Sequence, residues 1–184
     1  MKVFGLSGWS GSGKTTLMAK LLPELISRGL KVSTMKHAHH DFDVDTPGKD
    51  SYVHRESGAT EVMIGSATRW ALLHEVRDEP EPDFDSLLAV MTPVDLLLIE
   101  GFKRHGHSKL EIYRKGSDNL FLHNNDPEIV AIASDGNLDD GDPNGADSDR
   151  LPLPVLDLND PAAIADFILD HTGLSKKASH NGAT

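Results

Sequence analysis

The chain has 184 residues, 38% hydrophobic and 26% charged, a composition typical of one globular domain with a substantial core. Its formal net charge of −11 argues against nonspecific binding to nucleic acid or to an anionic membrane, because such binding favours a basic surface. Without cysteine the chain has no disulfides and no thiolate chemistry, and the sequence suggests neither a signal peptide nor a membrane-spanning run. We therefore expect a cytoplasmic protein.

The first predicted elements are a strand, a loop of small residues and a helix. Residues 1–7 form the apolar strand, and the loop that follows reads GWSGSGKT, residues 8–15. This loop matches the pattern G-x-x-x-x-G-K-S/T at every fixed position, in the strand, loop and helix context that the pattern requires. The helix is predicted over residues 17–28, with a kink at Pro23 and an end at Gly29. Together these features predict a P-loop.

The residue types of this loop suit a chain of phosphate groups; the alternative is a Gly/Ser connection without a ligand. Backbone N–H groups of a tight loop and of a helix amino end can surround a phosphate, and glycine permits its close approach. Lys14 is predicted to reach the β- and γ-phosphates as a catalytic residue, and the Thr15 hydroxyl to bind Mg²⁺. The predicted nucleotide-binding residues of the loop are Gly8, Trp9, Ser10, Gly11, Ser12, Gly13, Lys14, Thr15 and Thr16.

A second strand is predicted over residues 30–36, followed by the unusual polar segment KHAHHDFDVDTPGKDS, residues 36–51. Its histidines and alternating aspartates could form a metal site, or could simply face solvent. We favour a third interpretation, in which the segment closes over the P-loop and Asp45 or Asp43 senses the γ-phosphate through Mg²⁺ or water. A zinc site is disfavoured because no thiolate or suitably spaced third histidine supports it.

The middle of the chain departs from a simple alternation of strands and helices. It is predicted to contain a helix from Asp50 or Ser51 to about residue 57, strands over 60–66 and 69–76, an acidic connection over 78–83 and a helix over 84–91. The two strands read as a hairpin. We expect them to form an antiparallel addition at one edge of the sheet.

A carboxylate ends the clearest buried strand of the sequence, VDLLLI, residues 94–99. A P-loop protein needs a second anionic group near Mg²⁺, at the carboxyl end of a strand beside the loop. Glu100 occupies this position and is predicted as a metal ligand and catalytic residue. Aspartate is usual there, so the longer glutamate could act through water. The alternative is a strand-end carboxylate that faces solvent.

The remaining elements complete an alternating α/β pattern. They are strands over residues 109–114, 129–133 and 154–158, an acidic loop over 138–151 and a helix over 161–171 with Asp160 as N-cap. This order predicts an α/β protein of P-loop NTPase type, with a mostly parallel sheet, helices on both faces and an antiparallel β addition at one edge. We predict a single domain over residues 1–173 and a polar, mobile tail over 174–184.

Asp135 is the candidate for selecting the base. It follows the strand over residues 129–133, at the sheet edge where this architecture binds ligands. Guanine presents adjacent N1–H and N2–H₂ donors, which one carboxylate can accept together, whereas adenine has no such pair. The alternative is that Asp135 and Gly136 form only a turn.

Four of these segments resemble the molybdopterin-guanine dinucleotide biosynthesis protein B family, MobB. They read GWSGSGKTTL, KHAHHDFDVDTPGKDSY, RWALLHE and LLLIEGFK, and the similarity extends over roughly residues 1–170. The histidine- and aspartate-rich segment carries most of the specificity, because P-loops occur in many proteins. The acidic loop over 138–151 and the tail over 174–184 do not belong to the family pattern.

The resemblance implies a homodimer that binds GTP with Mg²⁺, hydrolyses GTP slowly at best, and dimerises through an added β segment, for which residues 60–76 are suited. It also implies an accessory role in molybdenum cofactor biosynthesis. The partner would be the guanylyltransferase that attaches GMP to molybdopterin, and molybdopterin itself is a further candidate partner. Such a protein acts mainly through its partner enzyme.

Two other functions are compatible with the motifs. A small-molecule P-loop kinase would need arginines over the phosphates, for which Arg55, Arg69 and Arg104 are candidates. The acidic connection over residues 78–83 would repel a phosphate, so we favour the accessory role. The histidines also suggest a metallochaperone-type GTPase.

Overall fold

The computed structural model describes residues 1–38, 42–102, 105–138 and 153–175. His39, His40, Arg104, most of the predicted acidic loop and nearly all of the predicted tail lie outside these ranges. The chain divides into two compact units, the first formed by Met1–His37 with Thr92–Thr184 and the second by Ala38–Met91. The single domain over 1–173 stays a prediction.

The chain contains twelve regular elements within the described residues. In chain order they are β1 (Lys2–Ser7), α1 (Lys14–Ser27), β2 (Val32–Lys36), α2 (Asp50–Glu56), β3 (Glu61–Gly65), β4 (Trp70–His74), α3 (Phe84–Ala89), β5 (Leu96–Glu100), β6 (Lys109–Tyr113), β7 (Ile129–Ser134), β8 (Val155–Asp157) and α4 (Pro161–Thr172). Each corresponds to a predicted element, with boundaries shifted by a few residues.

The first unit is built on a six-stranded sheet in the order β2-β5-β1-β6-β7-β8, in which every neighbouring pair is parallel. This confirms the predicted α/β class. The first strand, β1, lies between β5 and β6, with Leu6 opposite both Glu100 and Leu110. Because all strands run the same way, their carboxyl ends meet at one edge of the sheet, where ligands bind in such folds.

The core of this unit lies between the sheet and the helices α1 and α4. Leu17 and Leu21 of α1 and Ile164 and Ile168 of α4 belong to one buried cluster with Phe4 of β1 and other strand residues. Within this unit both helices therefore cover the same face of the sheet. The opposite face, to which alternate strand residues point, packs the segment between β6 and β7 through a smaller buried cluster formed by Tyr113, Phe121 and Ile132.

The second unit contains α2, α3 and the hairpin of β3 and β4. The predicted antiparallel pair is present, with Met63 opposite Leu72 and Gly65 opposite Trp70. It forms a two-stranded sheet of its own and adds no strand to the six-stranded sheet. Its two strands pair with each other along their length, as expected for strands joined by a short turn. No described helix in either unit is long and apolar enough to span a membrane.

Candidate functional site: the phosphate-binding loop and its surroundings

The loop between β1 and α1 has the backbone conformation that its glycines permit. Gly13 precedes α1 with φ 103°, in the left-handed region, and no side chain caps the helix. A Cβ at Gly8, whose φ is 150°, would lie 2.6 Å from Ser12 Oγ and 2.7 Å from the carbonyl oxygen of Ile112. Glycine is therefore required at both positions. The amino end of α1 keeps its first N–H groups and its positive dipole end available to an anion.

Lys14 lies across this loop. Its Nζ donates hydrogen bonds to the carbonyl oxygens of Gly8 and Trp9, each at 2.8 Å. The ammonium is therefore held at the loop by the loop's own backbone. A charge in this position suits the phosphate-contacting role predicted for Lys14.

Thr15, in the first turn of α1, lies beside Glu100 at the end of β5. Thr15 Oγ1 lies 3.5 Å from Glu100 Oε2, and Lys36 Nζ lies 3.6 Å from Glu100 Oε1. The side chain of Glu100 is only 15% exposed, so it does not simply face solvent. A hydroxyl and a carboxylate are oxygen ligands of the kind that Mg²⁺ prefers, and the donor set fits this ion. The roles of both residues as metal ligands stay predictions.

The end of β2 packs closely against the end of β5. A Cβ at Gly101, whose φ is 103°, would lie 2.8 Å from His37 Cβ, so this position requires glycine. The ring of His37 lies 4.7 Å from that of Phe102, measured between centroids. His37 thus packs beside the strand end that carries Glu100. Among the described residues, no group of three or more His, Asp or Glu side chains converges on a metal position.

Asp43 and Asp45 belong to the second unit, where Arg55 organises them. Arg55 Nη2 donates to Asp43 Oδ2 at 2.7 Å, and Arg55 Nε lies 3.9 Å from Asp45 Oδ2. Asp45 Oδ1 also accepts a hydrogen bond from Ser51 Oγ at 2.8 Å. The backbone N–H of Asp45 and the guanidinium of Arg55 lower the pKa of Asp43. The assignment of Asp45 or Asp43 to Mg²⁺ stays a prediction.

Asp135 follows β7 and is engaged on both carboxylate oxygens. Arg114 Nη1 donates to Oδ2 at 2.7 Å, and the Lys115 N–H donates to Oδ1 at 3.0 Å. The hydrogen bond from Arg114, followed by that from Lys115, lowers the pKa of Asp135 and keeps the carboxylate ionised. The role of Asp135 in selecting guanine stays a prediction.

Arg114 is a site residue that the sequence did not predict. Besides its bond to Asp135, it donates from Nε to the carbonyl oxygen of Ser12 in the loop, at 3.0 Å. A signal was present in the sequence, since Arg114 follows directly after the strand β6. That signal becomes informative only once β6 is known to neighbour β1.

A cavity of about 210 Å³ lies beside the phosphate-binding loop. It is lined by Trp9, Ser10, Gly11, Ser12, Ile112, Tyr113, Arg114, Ser117 and Asn119. One wall is the loop itself, and the other is the segment after β6. The two walls are joined by a hydrogen bond of 2.8 Å from Trp9 Nε1 to the carbonyl oxygen of Leu120. A larger cavity, of about 460 Å³, lies near the starts of β6 and β7 and does not include the residues predicted to bind nucleotide.

A parallel sheet whose first strand leads through a G-x-x-x-x-G-K-T loop into an uncapped helix defines the class of P-loop α/β proteins. Within this class, the chain belongs to the MobB family. The family model described as molybdopterin guanine dinucleotide synthesis protein B matches residues 3–135.

Curated relatives agree with this assignment. The chain is 39% identical over 174 residues to the molybdopterin-guanine dinucleotide biosynthesis adapter protein of Escherichia coli (strain K12), covering 91% of each chain. It is 36% identical over 166 residues to the protein of the same name from Haemophilus influenzae, covering 90% of this chain and 86% of the relative. The family resemblance seen in the sequence is therefore confirmed.

Solved structures share the fold. A crystal structure of molybdopterin-guanine biosynthesis protein B superposes with a TM-score of 0.68 at 26% identity, covering 92% of this chain and 99% of that one. The structure of Bacillus subtilis MobB gives a TM-score of 0.68 at 23% identity, covering 94% and 98% respectively. The predicted fold class is thus also that of the solved MobB structures.

Proposed function

We propose that this chain is a GTP-binding accessory protein of molybdenum cofactor biosynthesis. It assists a guanylyltransferase in attaching GMP to molybdopterin, and hydrolyses GTP slowly at most. The observation that carries the proposal is the position of Lys14 and Thr15 at an uncapped helix end, beside Glu100 of the neighbouring strand. The family assignment supplies the pathway, since relatives of 39% and 36% identity are named adapter proteins of this biosynthesis.

Binding of the triphosphate is supported by the charges at the loop. The helix amino end, the ammonium of Lys14 and the guanidinium of Arg114 gather positive charge at one place in a chain of net charge −11. Backbone N–H groups from Gly8 to Thr16 would surround the phosphates, and Lys14 would neutralise the β- and γ-phosphates. Mg²⁺ would be held by Thr15 and Glu100, and the sequence predicts Asp45 as a further ligand.

Selection of guanine is assigned to Asp135. Its carboxylate is ionised and part-exposed, and it lies at the ligand-binding edge of the sheet. An ionised carboxylate accepts hydrogen bonds from the N1–H and N2–H₂ donors of guanine together, and adenine has no such pair of donors. GTP should therefore bind more tightly than ATP.

A homodimer formed through the hairpin is part of the proposal. Met63, Trp70 and Leu72 lie on one face of the hairpin and are 66%, 65% and 41% exposed. On the opposite face, Val62 is buried, with 7% exposure. An open apolar face on a two-stranded sheet suits a two-fold contact with a second copy, because the same patch can meet itself. The remaining partners are the guanylyltransferase and molybdopterin, in the cytoplasm.

The test is nucleotide binding by calorimetry with GTP and ATP, each with and without Mg²⁺. Wild type should bind GTP, and Lys14→Ala should weaken this binding by about tenfold to a hundredfold, the value of a charged contact to phosphate. Lys20→Ala, an exposed lysine on the same helix, is the matched control and should bind as wild type does. Unchanged GTP affinity in Lys14→Ala would contradict the phosphate role.

A second measurement separates the accessory role from a kinase. At the same GTP concentration, the purified guanylyltransferase should form more molybdopterin-guanine dinucleotide with this protein than without it. A kinase would instead consume GTP or ATP in proportion to an added acceptor. The arginine Arg55, predicted as a lid candidate, is engaged by Asp43 within its own unit, which gives the kinase interpretation no support.

A further inference from the structure

We propose that Arg114 is a positioning residue that couples the phosphate-binding loop to Asp135, so that triphosphate binding and guanine recognition depend on each other. The inference rests on the proposed function, since it requires the loop to bind the phosphates of GTP. Arg114 itself contacts the loop backbone and Asp135.

The topology of the sheet gives Arg114 access to both parts of the site. It follows directly after β6, and β6 pairs with β1 on one side and with β7 on the other. The loop begins at the end of β1, and Asp135 follows β7. A long side chain at the end of the middle strand can therefore reach both neighbours.

The contacts use the fork of the guanidinium. Nε donates to the carbonyl oxygen of Ser12 at 3.0 Å, while Nη1 donates to Asp135 Oδ2 at 2.7 Å. A rigid planar group thus fixes the distance between the loop backbone and the carboxylate. Lysine could not replace it, because an ammonium is a single point of charge without a planar fork.

Gly13 makes room for this arrangement. A Cβ at Gly13 would lie 2.7 Å from Arg114 Nη2, so any other residue there would displace the guanidinium. Gly13 also adopts φ 103° immediately before α1. The guanidinium therefore lies against the same residue whose conformation shapes the loop and starts the helix.

Electrostatics make the coupling sensitive to phosphate. Arg114 and Lys14 both bring positive charge to the amino end of α1, where the helix dipole is also positive. Asp135 balances part of this charge. A bound triphosphate would balance more of it, stabilising the position of Arg114 and, through Arg114, the orientation of Asp135.

Asp135 retains acceptor capacity for a base in this arrangement. Arg114 and the Lys115 N–H each occupy one site on a different carboxylate oxygen. Each oxygen can accept two hydrogen bonds, and the side chain is 29% exposed. The two donors therefore orient the carboxylate, which keeps acceptor capacity for the N1–H and N2–H₂ of guanine.

The experiment measures affinities of the full chain for GTP, ATP and inorganic tripolyphosphate by calorimetry. The variants are Arg114→Gln, Arg114→Lys, Asp135→Asn and the double variant Arg114→Gln with Asp135→Asn. Lys31→Gln, an exposed lysine ahead of β2, is the control for loss of one positive charge. Because Arg114 is itself part-exposed, its variants should fold, and circular dichroism verifies this.

We expect the preference for GTP over ATP to fall about tenfold in Arg114→Gln, the value of one charged hydrogen bond, and nearly as far in Arg114→Lys. The affinity for tripolyphosphate should fall less. Adding Asp135→Asn to Arg114→Gln should change the preference little further, since the two residues act as one unit. Lys31→Gln should leave the preference unchanged.

Three outcomes would overturn the inference. An unchanged preference in Arg114→Gln would show that Asp135 acts without Arg114. An equal loss of affinity for GTP, ATP and tripolyphosphate would show that Arg114 only supports the loop. Additive effects of the Arg114 and Asp135 changes would show that the two residues are independent. Failure of the proposed function is distinguishable from these, because it appears in wild type as absent triphosphate binding.

Discussion

Thr15 Oγ1 and Glu100 Oε2 lie 3.5 Å apart, although 85 residues separate the two positions in the chain. The contact arises because β1 and β5 are parallel neighbours, so both strands end at the same edge of the sheet. The pair offers two adjacent oxygen atoms next to the helix end that would hold phosphate. The dependence of nucleotide binding on Mg²⁺ should therefore rest on Glu100.

We predict that Glu100→Gln largely removes the gain in GTP affinity that Mg²⁺ provides, while GTP binding in the presence of a chelator changes little. The amide keeps the shape of the side chain but loses the charge that attracts the ion. Calorimetric titrations with and without Mg²⁺ measure the difference. Asp95→Asn, just ahead of the same strand, is the control, since Asp95 accepts a hydrogen bond from the Lys31 N–H. If Mg²⁺ raised the GTP affinity of wild type and of Glu100→Gln equally, Glu100 would not be a ligand of the ion.

A second prediction concerns Glu111, which is fully buried in β6. Its carboxylate accepts hydrogen bonds from the Leu122 N–H at 2.7 Å, the His123 N–H at 3.0 Å and His123 Nδ1 at 3.1 Å. We expect Glu111→Gln to lower the free energy of unfolding by about 3 kcal/mol or more, because the charge that binds these donors is lost and the amide nitrogen in place of one carboxylate oxygen faces a buried N–H donor.

Urea unfolding followed by circular dichroism measures this loss. Glu24→Gln is the control, because Glu24 pairs with Arg28 in a part-exposed contact that should contribute about 1 kcal/mol or less. If Glu111→Gln and Glu24→Gln unfolded at the same urea midpoint, Glu111 would not stabilise the segment after β6.

A third prediction concerns acid stability. Burial, with the nearby charges of Lys109 and His105, lowers the pKa of His107 to about 4 from 6.5, and Asp126 opposes this only in part. The unfolded chain takes up a proton at its ordinary pKa, whereas the folded chain does so only at lower pH. The free energy of unfolding should therefore fall as the pH drops from 6.5 to about 4.

In His107→Gln this acid-side fall should be shallower, measured as the urea midpoint at several pH values. His74→Gln is the contrasting variant. The hydrogen bond with Glu61 raises the pKa of His74, so its contribution is present at low pH and is lost as the pH rises through that raised pKa. If the urea midpoints of wild type and His107→Gln changed identically with pH, His107 would not be the source of the loss of stability in acid.

A fourth prediction concerns assembly. Light scattering at micromolar concentration should give the mass of a dimer for wild type and a shift towards monomer for Trp70→Ser combined with Met63→Ser. Both changes remove exposed apolar area from the hairpin face. Val53→Ser, at an apolar position on α2 that is 51% exposed, should stay dimeric. A monomeric wild type, with and without GTP, would refute the hairpin dimer.

Much of the fold was predictable because its signals are local. The strand, the glycine loop and the helix that surround Lys14 are consecutive in sequence, and the buried strand before Glu100 is a continuous apolar run. The N-cap of α4 was also predictable, and Asp160 Oδ1 indeed accepts from the Ala163 N–H at 3.0 Å. Such signals depend on propensity and pattern over a few residues.

The features that the sequence did not predict depend on which strands become neighbours. Arg114 contacts both the loop and Asp135 because β6 lies between β1 and β7, and no local sequence pattern encodes that order of strands. The hairpin was expected at the edge of the main sheet but forms a separate sheet. The sequence pattern of the two strands predicts that they pair with each other, and it does not predict whether they also pair with the main sheet. The close packing of His37 on Gly101 likewise follows from strand order.

The place of β1 in the sheet also determines when the site can form during synthesis. β1 is made before its two neighbours, β5 and β6, which begin only at Leu96 and Lys109. Until these two strands have left the ribosome, Phe4 and Leu6 lack the neighbours beside which they are buried, and the loop has no fixed position. These pairings are long-range, which slows folding and prolongs the exposure of apolar residues. The nascent chain should therefore depend on chaperones most strongly before β6 emerges.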